Sequence, residues 1–290
     1  MQIVAKDLSF VYGEGSKTLA VKALDNVSLT IEEGDFFGIV GHTGSGKTTF
    51  VQHLNGLIRV GKNKGSLVVG NYDLTDKKCN LKELRSKVGM VFQYPEYQLF
   101  AETVFDDVSY GLKSFFPNIS PLEIEEKVKI ALSLVGLDYQ TIKDKSPFEL
   151  SGGQKRRVAI AGVIVTQPEV LVLDEPAAGL DPVGKREFLH LLKKLHKGFL
   201  KTIIIVSHDM NLITDYCNKV AVFSKGKVAS VGTPREVFSN YKKIYELGLE
   251  LPLTAYLTKS LEENGVKVDS DLSVDGFISA FLQAKKEEGR

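Results

Sequence analysis

Gly41-His-Thr-Gly-Ser-Gly46-Lys47-Thr48 sets a lysine and a hydroxyl directly behind a glycine-rich stretch. Glycine, four residues, glycine, lysine and then serine or threonine is a pattern that cradles phosphate. The glycines let several backbone N–H groups converge on phosphate oxygens, and the helix that follows adds partial positive charge at its N-terminus. In that chemistry Lys47 reaches the β and γ phosphates of a nucleoside triphosphate and the Thr48 hydroxyl ligates Mg²⁺. His42, Thr43, Gly44, Ser45 and Thr49 complete the candidate nucleotide contacts of the loop. A second set of groups stands at Val170-Leu-Val-Leu-Asp174-Glu175, an apolar run that ends in two acids. Asp174, at the end of a buried strand, can hold the Mg²⁺ that Thr48 also touches. Glu175 is then placed to polarise a water that attacks the γ phosphate, as general base. Apolar runs ending in acids are common, so this pair gains its meaning from the loop.

The surrounding elements must deliver these residues to one place. Phe36 to Val40 is a continuous apolar run leading into the glycine loop, and Thr49 to Leu57 has helical character, so the loop joins a buried strand to a helix. Ile3 to Tyr12 and Ala23 to Ile31 read as further strands, bounded by turn signals at Gly13-Glu-Gly15 and Glu32-Glu-Gly34. Between roughly Pro121 and Leu137 the apolar residues Ile124, Val128, Ala131, Leu132 and Val135 recur at helical steps in a charged stretch, which predicts a helical insert between two sets of strands. Val170 to Leu173 and Thr202 to Val206, separated by a helix-like stretch from Gly184 to Leu195, have the pattern of parallel strands covered on both faces. Val220 to Phe223 and Lys227 to Val231 flank Ser224-Lys-Gly226 as a hairpin. Past a junction near Gly248 and Pro252, Leu253, Tyr256, Leu257 and Leu261, then Phe277, Ile278, Phe281 and Leu282, mark two short amphipathic helices. These must pack on the chain's own core or on a partner.

With 43% apolar and 25% charged residues, the 290-residue chain has the composition of a soluble globular protein, and its length predicts about two domains or one large domain with an appendage. Its 37 basic and 36 acidic side chains leave a net charge of +1, which argues against nucleic-acid binding through an overall field. No apolar run approaches the roughly 18 to 20 residues that cross a bilayer, and the first residues lack a signal-peptide pattern. Cys79 and Cys217 have neither metal-ligand spacing nor the density of a disulfide framework. The expectation is a reducing cytosolic setting in which both thiols are packing residues.

Leu150-Ser-Gly-Gly-Gln154, taken with the phosphate loop and Asp174-Glu175, resembles the ATPase subunit of an ABC transporter, over about residues 1–240. The resemblance implies that Gln93 is a glutamine switch acting in catalysis and at Mg²⁺, that His208 senses the γ phosphate and that Tyr12 stacks on adenine. It gives Glu175, His208, Gln93 and Lys47 as the catalytic set and Thr48, Gln93 and Asp174 as the Mg²⁺ set. Gly179-Leu-Asp181 resembles the loop after the second carboxylate, with Asp181 among the nucleotide contacts. Ser151, Gly152, Gly153 and Gln154 are implied to face the ATP of a partner subunit, and Ser151 is suited to cap a helix beginning at Gly152. Ala177 departs from the pattern, since threonine or serine is commoner there.

Finer wording narrows the family. Gly41 to Lys47, Gln52-His-Leu-Asn-Gly-Leu57, Phe92-Gln-Tyr-Pro-Glu-Tyr-Gln-Leu-Phe100 and Pro147 to Ala161 are similar to the energy-coupling factor ATPases, which drive uptake of vitamins and metal ions. Thr43 resembles the second of that group's two paralogous ATPases, the EcfA-prime type. The implied fold is an α/β P-loop ATPase with a mostly parallel core sheet, an N-terminal antiparallel β subdomain and a helical subdomain at about residues 95–160. A C-terminal helical extension over residues 241–290 is implied to help pair the ATPases. Implied partners are a second ABC ATPase subunit, a paralogue or a second copy, with a membrane-embedded coupling subunit and a substrate-binding subunit, and no nucleic acid. The implied location is peripheral, at the cytoplasmic face of the cell membrane. The competing class is a soluble ABC ATPase acting on nucleic acid or ribosomes. Against it stand a single nucleotide site, no long heptad-bearing insertion between Lys47 and Asp174, and no basic surplus.

Overall fold

The computed structural model describes residues 1–13 and 20–287. In chain order it runs β1 (Ile3–Tyr12), β2 (Val21–Ile31), β3 (Phe36–Val40), α1 (Lys47–Leu54), β4 (Ser66–Val69), β5 (Tyr72–Asp73), α2 (Leu81–Lys87) and β6 (Val88–Val91). A helical block follows, α3 (Val104–Phe115), α4 (Pro121–Leu134), α5 (Tyr139–Ile142) and α6 (Gly152–Ile164). The chain returns through β7 (Val170–Asp174), α7 (Pro182–Gly198), β8 (Thr202–Val206), α8 (Met210–Tyr216), β9 (Lys219–Ser224) and β10 (Lys227–Gly232). It ends in α9 (Pro234–Phe238), α10 (Tyr241–Glu246), α11 (Leu253–Glu263) and α12 (Val274–Glu287).

Burial pattern decides which sheet a strand joins. Every residue of β3, β7 and β8 is buried, as strands covered on both faces must be. They are consecutive in a six-stranded sheet of order β10-β9-β3-β8-β7-β6, parallel from β9 to β6, with β10 antiparallel at one edge. The end of β2 alternates instead, with Val27, Leu29 and Ile31 buried and Ser28 and Thr30 exposed, so one face meets solvent. It belongs to an antiparallel sheet of order β2-β1-β4-β5. Alternate residues of β3 then feed two cores. Phe37 and Ile39 pack with the inner face of the antiparallel sheet and with Phe50 and Leu54 of α1, while Phe36 and Val40 belong to the core shared with the helical block and the tail.

Several boundaries differ from the periodicity. The first helix begins at Lys47 rather than Thr49, because Gly46 (φ 101) already turns the chain into it, and it ends at Leu54, ahead of Gly56 (φ 66). The insert helix stops at Leu134. Gly136 (φ 75) donates to the Ser133 carbonyl and Leu137 to the Leu132 carbonyl, a left-handed glycine ending. Residues 14 and 15 of the expected turn after Tyr12 lie outside the described residues. Helices α11 and α12 dock on α8, whose Asn211 and Asp215 side chains accept from the backbone N–H of Leu253 (2.8 Å) and Val274 (2.9 Å). The buried face of α11 is Thr254, Ala255 and Thr258, and Leu253, Tyr256 and Leu257 point outward. Among the described residues no helix is long and apolar enough to cross a membrane.

The middle of β3 is crowded on one face by side chains. A Cβ on Gly38 would lie 2.8 Å from Ile213 Cδ1 and 3.2 Å from Cys217 Sγ, both on the α8 side of the sheet. Gly38→Val should therefore destabilise the protein by about 1–3 kcal/mol through overpacking. Denaturant midpoints check this, and an unchanged midpoint would mean that α8 can move aside at no cost.

Candidate active site

The loop after β3 is shaped by close backbone approach. A Cβ on Gly41 (φ 147) would lie 2.2 Å from the Phe223 carbonyl oxygen, and one on Gly46 (φ 101) 2.4 Å from that of Ala23. Both positions demand glycine for space as well as conformation. The loop is pinned further by Ser45 N–H donating to His42 O (3.1 Å) and Gly226 N–H donating to Ser45 O (3.0 Å). Helix α1 starts here without a side-chain cap, so its first N–H groups have no acceptor of their own. Lys47 Nζ donates to the carbonyls of Gly41 (2.7 Å) and His42 (2.8 Å), which lays the ammonium along the loop. Burial lowers the Lys47 pKa, opposed by the charges of Glu175 and Asp174. The Ser45 hydroxyl is buried with no hydrogen-bond partner. Uncapped N–H groups, an unpaired buried hydroxyl and a lysine form a donor-rich cradle, which fits a phosphate chain.

Strand order carries the acids to the same place. Asp174 ends β7, and its burial pushes its pKa up, while the Thr48 hydroxyl bonded to it and the nearby Lys47 ammonium pull it down. Glu175 N–H donates to Val206 O (3.0 Å), one step beyond the strand, and Glu175 takes a left-handed backbone (φ 49). Such a conformation costs energy in a non-glycine residue and is found at sites where function fixes it. It turns the carboxylate toward His208, whose Nδ1–H donates to Oε2 at 2.9 Å. Ser207, just before His208, donates its N–H to Ile39 O (3.1 Å), tying that end of β8 to β3. Thr48 hydroxyl, Gln93 amide and Asp174 carboxylate all offer hard oxygens to one cavity, a donor set suited to Mg²⁺.

That cavity, about 480 Å³, takes in Tyr12, the loop from Thr43 to Thr49, Gln93, Asp174, Glu175 and His208. Gly41 and His42 line a neighbouring cavity of about 730 Å³, which shares Lys47, Glu175 and His208 and is walled by Gly248 to Leu251 of the tail. Ser151 to Gln154 and Asp181 lie outside both. Ser151 and Gln154 form a reciprocal capping box on α6, and Asp181 caps α7 by accepting from Gly184 N–H at 2.7 Å. Ala177 packs on the main core.

Tyr12 is supported by residues to which the sequence motifs gave no such role. Its hydroxyl hydrogen-bonds the Thr49 hydroxyl (3.2 Å), and its ring meets Phe10 edge-on at 4.8 Å. Phe10 in turn packs edge-on against His53 at 5.1 Å. His53 is fully buried on α1, its Nδ1–H donating to Thr49 O (2.7 Å) and its Nε2 unpaired. The sequence signals were its place in Gln52-His-Leu-Asn-Gly-Leu57 and its position four residues after Thr49, spaced to return to that carbonyl. Burial lowers the His53 pKa, partly opposed by the Thr49 carbonyl. The folded state therefore prefers it neutral, so its contribution to stability is complete above the ordinary histidine value of 6.5 and is lost as pH falls below it. Wild-type protein should lose more stability between pH 7.5 and 5 than His53→Leu, measured by denaturant unfolding. Equal losses would assign the pH dependence to other groups.

Comparison with known proteins agrees with this geometry. The ABC transporter family matches residues 24–178. The energy-coupling factor transporter ATP-binding protein EcfA2 of Clostridioides difficile (strain 630) is 49% identical over 273 residues, 94% of this chain and 93% of the relative. The protein of the same description from Clostridium tetani is 46% identical over 99% of this chain and 96% of its own length. Among solved structures, cbiO1 from Clostridium perfringens, part of the ABC transporter complex cbiONQ, superposes with a TM-score of 0.72 at 37% identity, covering 89% of this chain and 98% of its own. A dimeric post-hydrolysis ATP-binding cassette bound to ADP and Pi gives 0.70 at 28% identity, covering 80% of this chain and 99% of its own. Identity to the EcfA2 proteins thus runs beyond the length of that cassette and into the helical tail, and the chain belongs to the ABC transporter family, in its energy-coupling factor group of ATP-binding proteins.

Proposed function

We propose that this chain binds and hydrolyses ATP, pairs with a second ATPase subunit, a paralogue or another copy, and drives a membrane-embedded coupling subunit. With a substrate-binding subunit, that assembly takes up a vitamin or a transition-metal ion. The observation that carries the reading is the Glu175–His208 contact at 2.9 Å, in the cavity that also holds Lys47, Thr48 and Asp174. The triphosphate lies along the glycine loop, where the α1 N–H groups, Ser45 and Lys47 supply donors. Adenine stacks on Tyr12, whose ring is half exposed and tethered through Thr49. Glu175 takes the proton of the attacking water, and the His208 N–H orients that carboxylate. Thr48, Gln93 and Asp174 would hold Mg²⁺, and a single carboxylate suits a cation that keeps phosphate and water ligands. When bound, Mg²⁺ neutralises charge that develops on the phosphate oxygens.

The two-subunit site is supported by glycines that this chain alone does not require. Gly152 and Gly153 have ordinary backbone angles, and a Cβ on either would meet nothing within 4 Å. They leave α6 open for a ligand presented from outside, the ATP held by the partner's loop. The domain division that goes with this is an ATP-binding unit over residues 1–240 and a pairing element over 241–290. Leu253 is 58% exposed, Tyr256 56% and Leu282 53%, an apolar face that the chain leaves uncovered. Near Gln93, Tyr97 (84% exposed), Phe100 and Tyr110 form an exposed aromatic surface suited to the membrane subunit. The chain then sits peripherally at the cytoplasmic face of the membrane. A role on nucleic acid or ribosomes is not favoured, because the relatives are transporter subunits.

Glu175→Gln should leave ATP binding intact and lower turnover by roughly 10²- to 10⁴-fold, the contribution of a positioned general base, while prolonging the ATP-bound closed pair. Steady-state hydrolysis checks this, and an unchanged rate removes Glu175 from catalysis. Tyr256→Glu with Leu257→Glu alters only the outward face of α11, so folding should persist while the nucleotide-free pair dissociates on dilution. Sedimentation without ATP is the measurement, and an unchanged dissociation constant would deny the tail a part in pairing.

A further inference from the structure

Arg156 is buried, 4% exposed, and it joins three segments that the proposed cycle uses separately. Its Nε and Nη2 donate to the two carboxylate oxygens of Glu96, each at 3.2 Å, and Nη2 also donates to the Ala178 carbonyl at 3.0 Å. Glu96 lies in the 3-10 turn Pro95–Gln98, which starts two residues after Gln93, and beside the exposed Tyr97. Ala178 lies in the loop between Glu175 and Asp181, and Arg156 itself stands on α6, one turn below Ser151. A second contact joins two of the same segments. Tyr94, in a left-handed conformation (φ 57, ψ 61), brings its ring to 3.5 Å from where a Cβ on Gly179 would stand, and Gly179 (φ 75) is itself left-handed.

Stability alone is a poor account of this arrangement. Removing both charges of an ion pair from water offsets much of their attraction, and Arg156 Nη1 is left buried with no partner, a further cost. What a planar guanidinium supplies, and an apolar side chain of the same size does not, is a fixed geometry among three backbones. We propose that Arg156 is a positioning residue that holds the turn after Gln93, the helix headed by Ser151 and the loop from Glu175 to Asp181 as one unit. Displacement of the Tyr97 surface by a membrane subunit then moves the groups that close on ATP. The inference rests on the proposed function and names the route by which its two ends are joined.

The test uses the ATPase pair as it copurifies, with Glu175→Gln in this chain so that ATP closes the pair without turnover at this chain's site. Arg156→Lys keeps a charge but cannot span both Glu96 oxygens and the Ala178 carbonyl, and Glu96→Gln keeps the size of the acceptor without its charge. Each variant should raise the ATP concentration for half-maximal closure, read by sedimentation, about tenfold, and the two together about tenfold rather than a hundredfold, since they break one linkage. ATP affinity of this chain when diluted to a monomer should stay within about twofold, whereas general damage to the fold would lower affinity and closure together. Should Arg156→Lys fail to fold, Glu96→Gln at the less buried end of the pair decides alone. Closure at the parental ATP concentration in Glu96→Gln, or multiplicative effects in the double variant, would overturn the proposal. Failure of the wider reading looks different, because the parental Glu175→Gln pair would then not bind ATP or not close with it.

Discussion

A buried ammonium and two carboxylates must share one end of a parallel sheet, and the strand order β3-β8-β7 is what permits it. β3 delivers the loop with Lys47, β7 delivers Asp174 and Glu175, and β8, between them, delivers His208. Each charge is costly to bury alone. Burial drives the Lys47 pKa down and that of Asp174 up, and each is opposed by the other's charge. Removing either group leaves its partner less compensated, so the loop and the end of β7 are coupled electrostatically before any nucleotide is present. The left-handed Glu175 follows from the same constraint, since its N–H continues the ladder to Val206 and only a sharp turn frees the side chain toward His208.

Glycine stands in opposite settings in the two glycine-bearing motifs. At Gly41 and Gly46 the chain's own carbonyls leave no space for a Cβ, so these residues are fixed by the fold. At Gly152 and Gly153 nothing in the described residues crowds a Cβ, so the fold of this chain makes no such demand there. Motifs that look alike in sequence therefore separate into one whose glycines the fold fixes and one whose glycines it leaves open, as the proposed two-subunit site asks. The same distinction explains why Ser151 spends its hydroxyl on capping α6 rather than facing the cavity.

Much of this was legible in the sequence because the signals are local. Phe36 to Val40, the glycine loop and the Val170 run each carry their pattern within a few residues, and the strands appear where that pattern puts them. β6 was not singled out, although Val88-Gly-Met-Val91 is an apolar run just before Gln93, because α2 runs into it at Lys87 and no turn residue marks its start. The Glu96–Arg156 link joins residues far apart in the chain, and no spacing rule brings them together. His53 likewise comes to support Tyr12, through Phe10, only when β1 lies over α1. In the tail, periodicity found the helices but not their direction. Thr254 and Thr258 face inward and Leu253 and Tyr256 outward, because the Thr254 hydroxyl has a buried acceptor in the Leu272 carbonyl at 2.5 Å.

The position of that outward face is set from an unexpected side. Asn211 and Asp215, which accept from the first N–H groups of α11 and α12, both belong to α8, and α8 begins just after His208 and its capping Asp209. Asp209 is also paired with Lys185 of α7, the helix that Asp181 starts. Gly248, at the junction, approaches His42 so closely that a Cβ would lie 2.8 Å from its Nε2. The tail is thus fastened to the residues flanking His208 and to the glycine loop rather than to the outer sheet. An apolar face held in this way keeps a fixed orientation relative to the carboxylates, and a second subunit seated on it would be aligned by the same elements that position the chemistry.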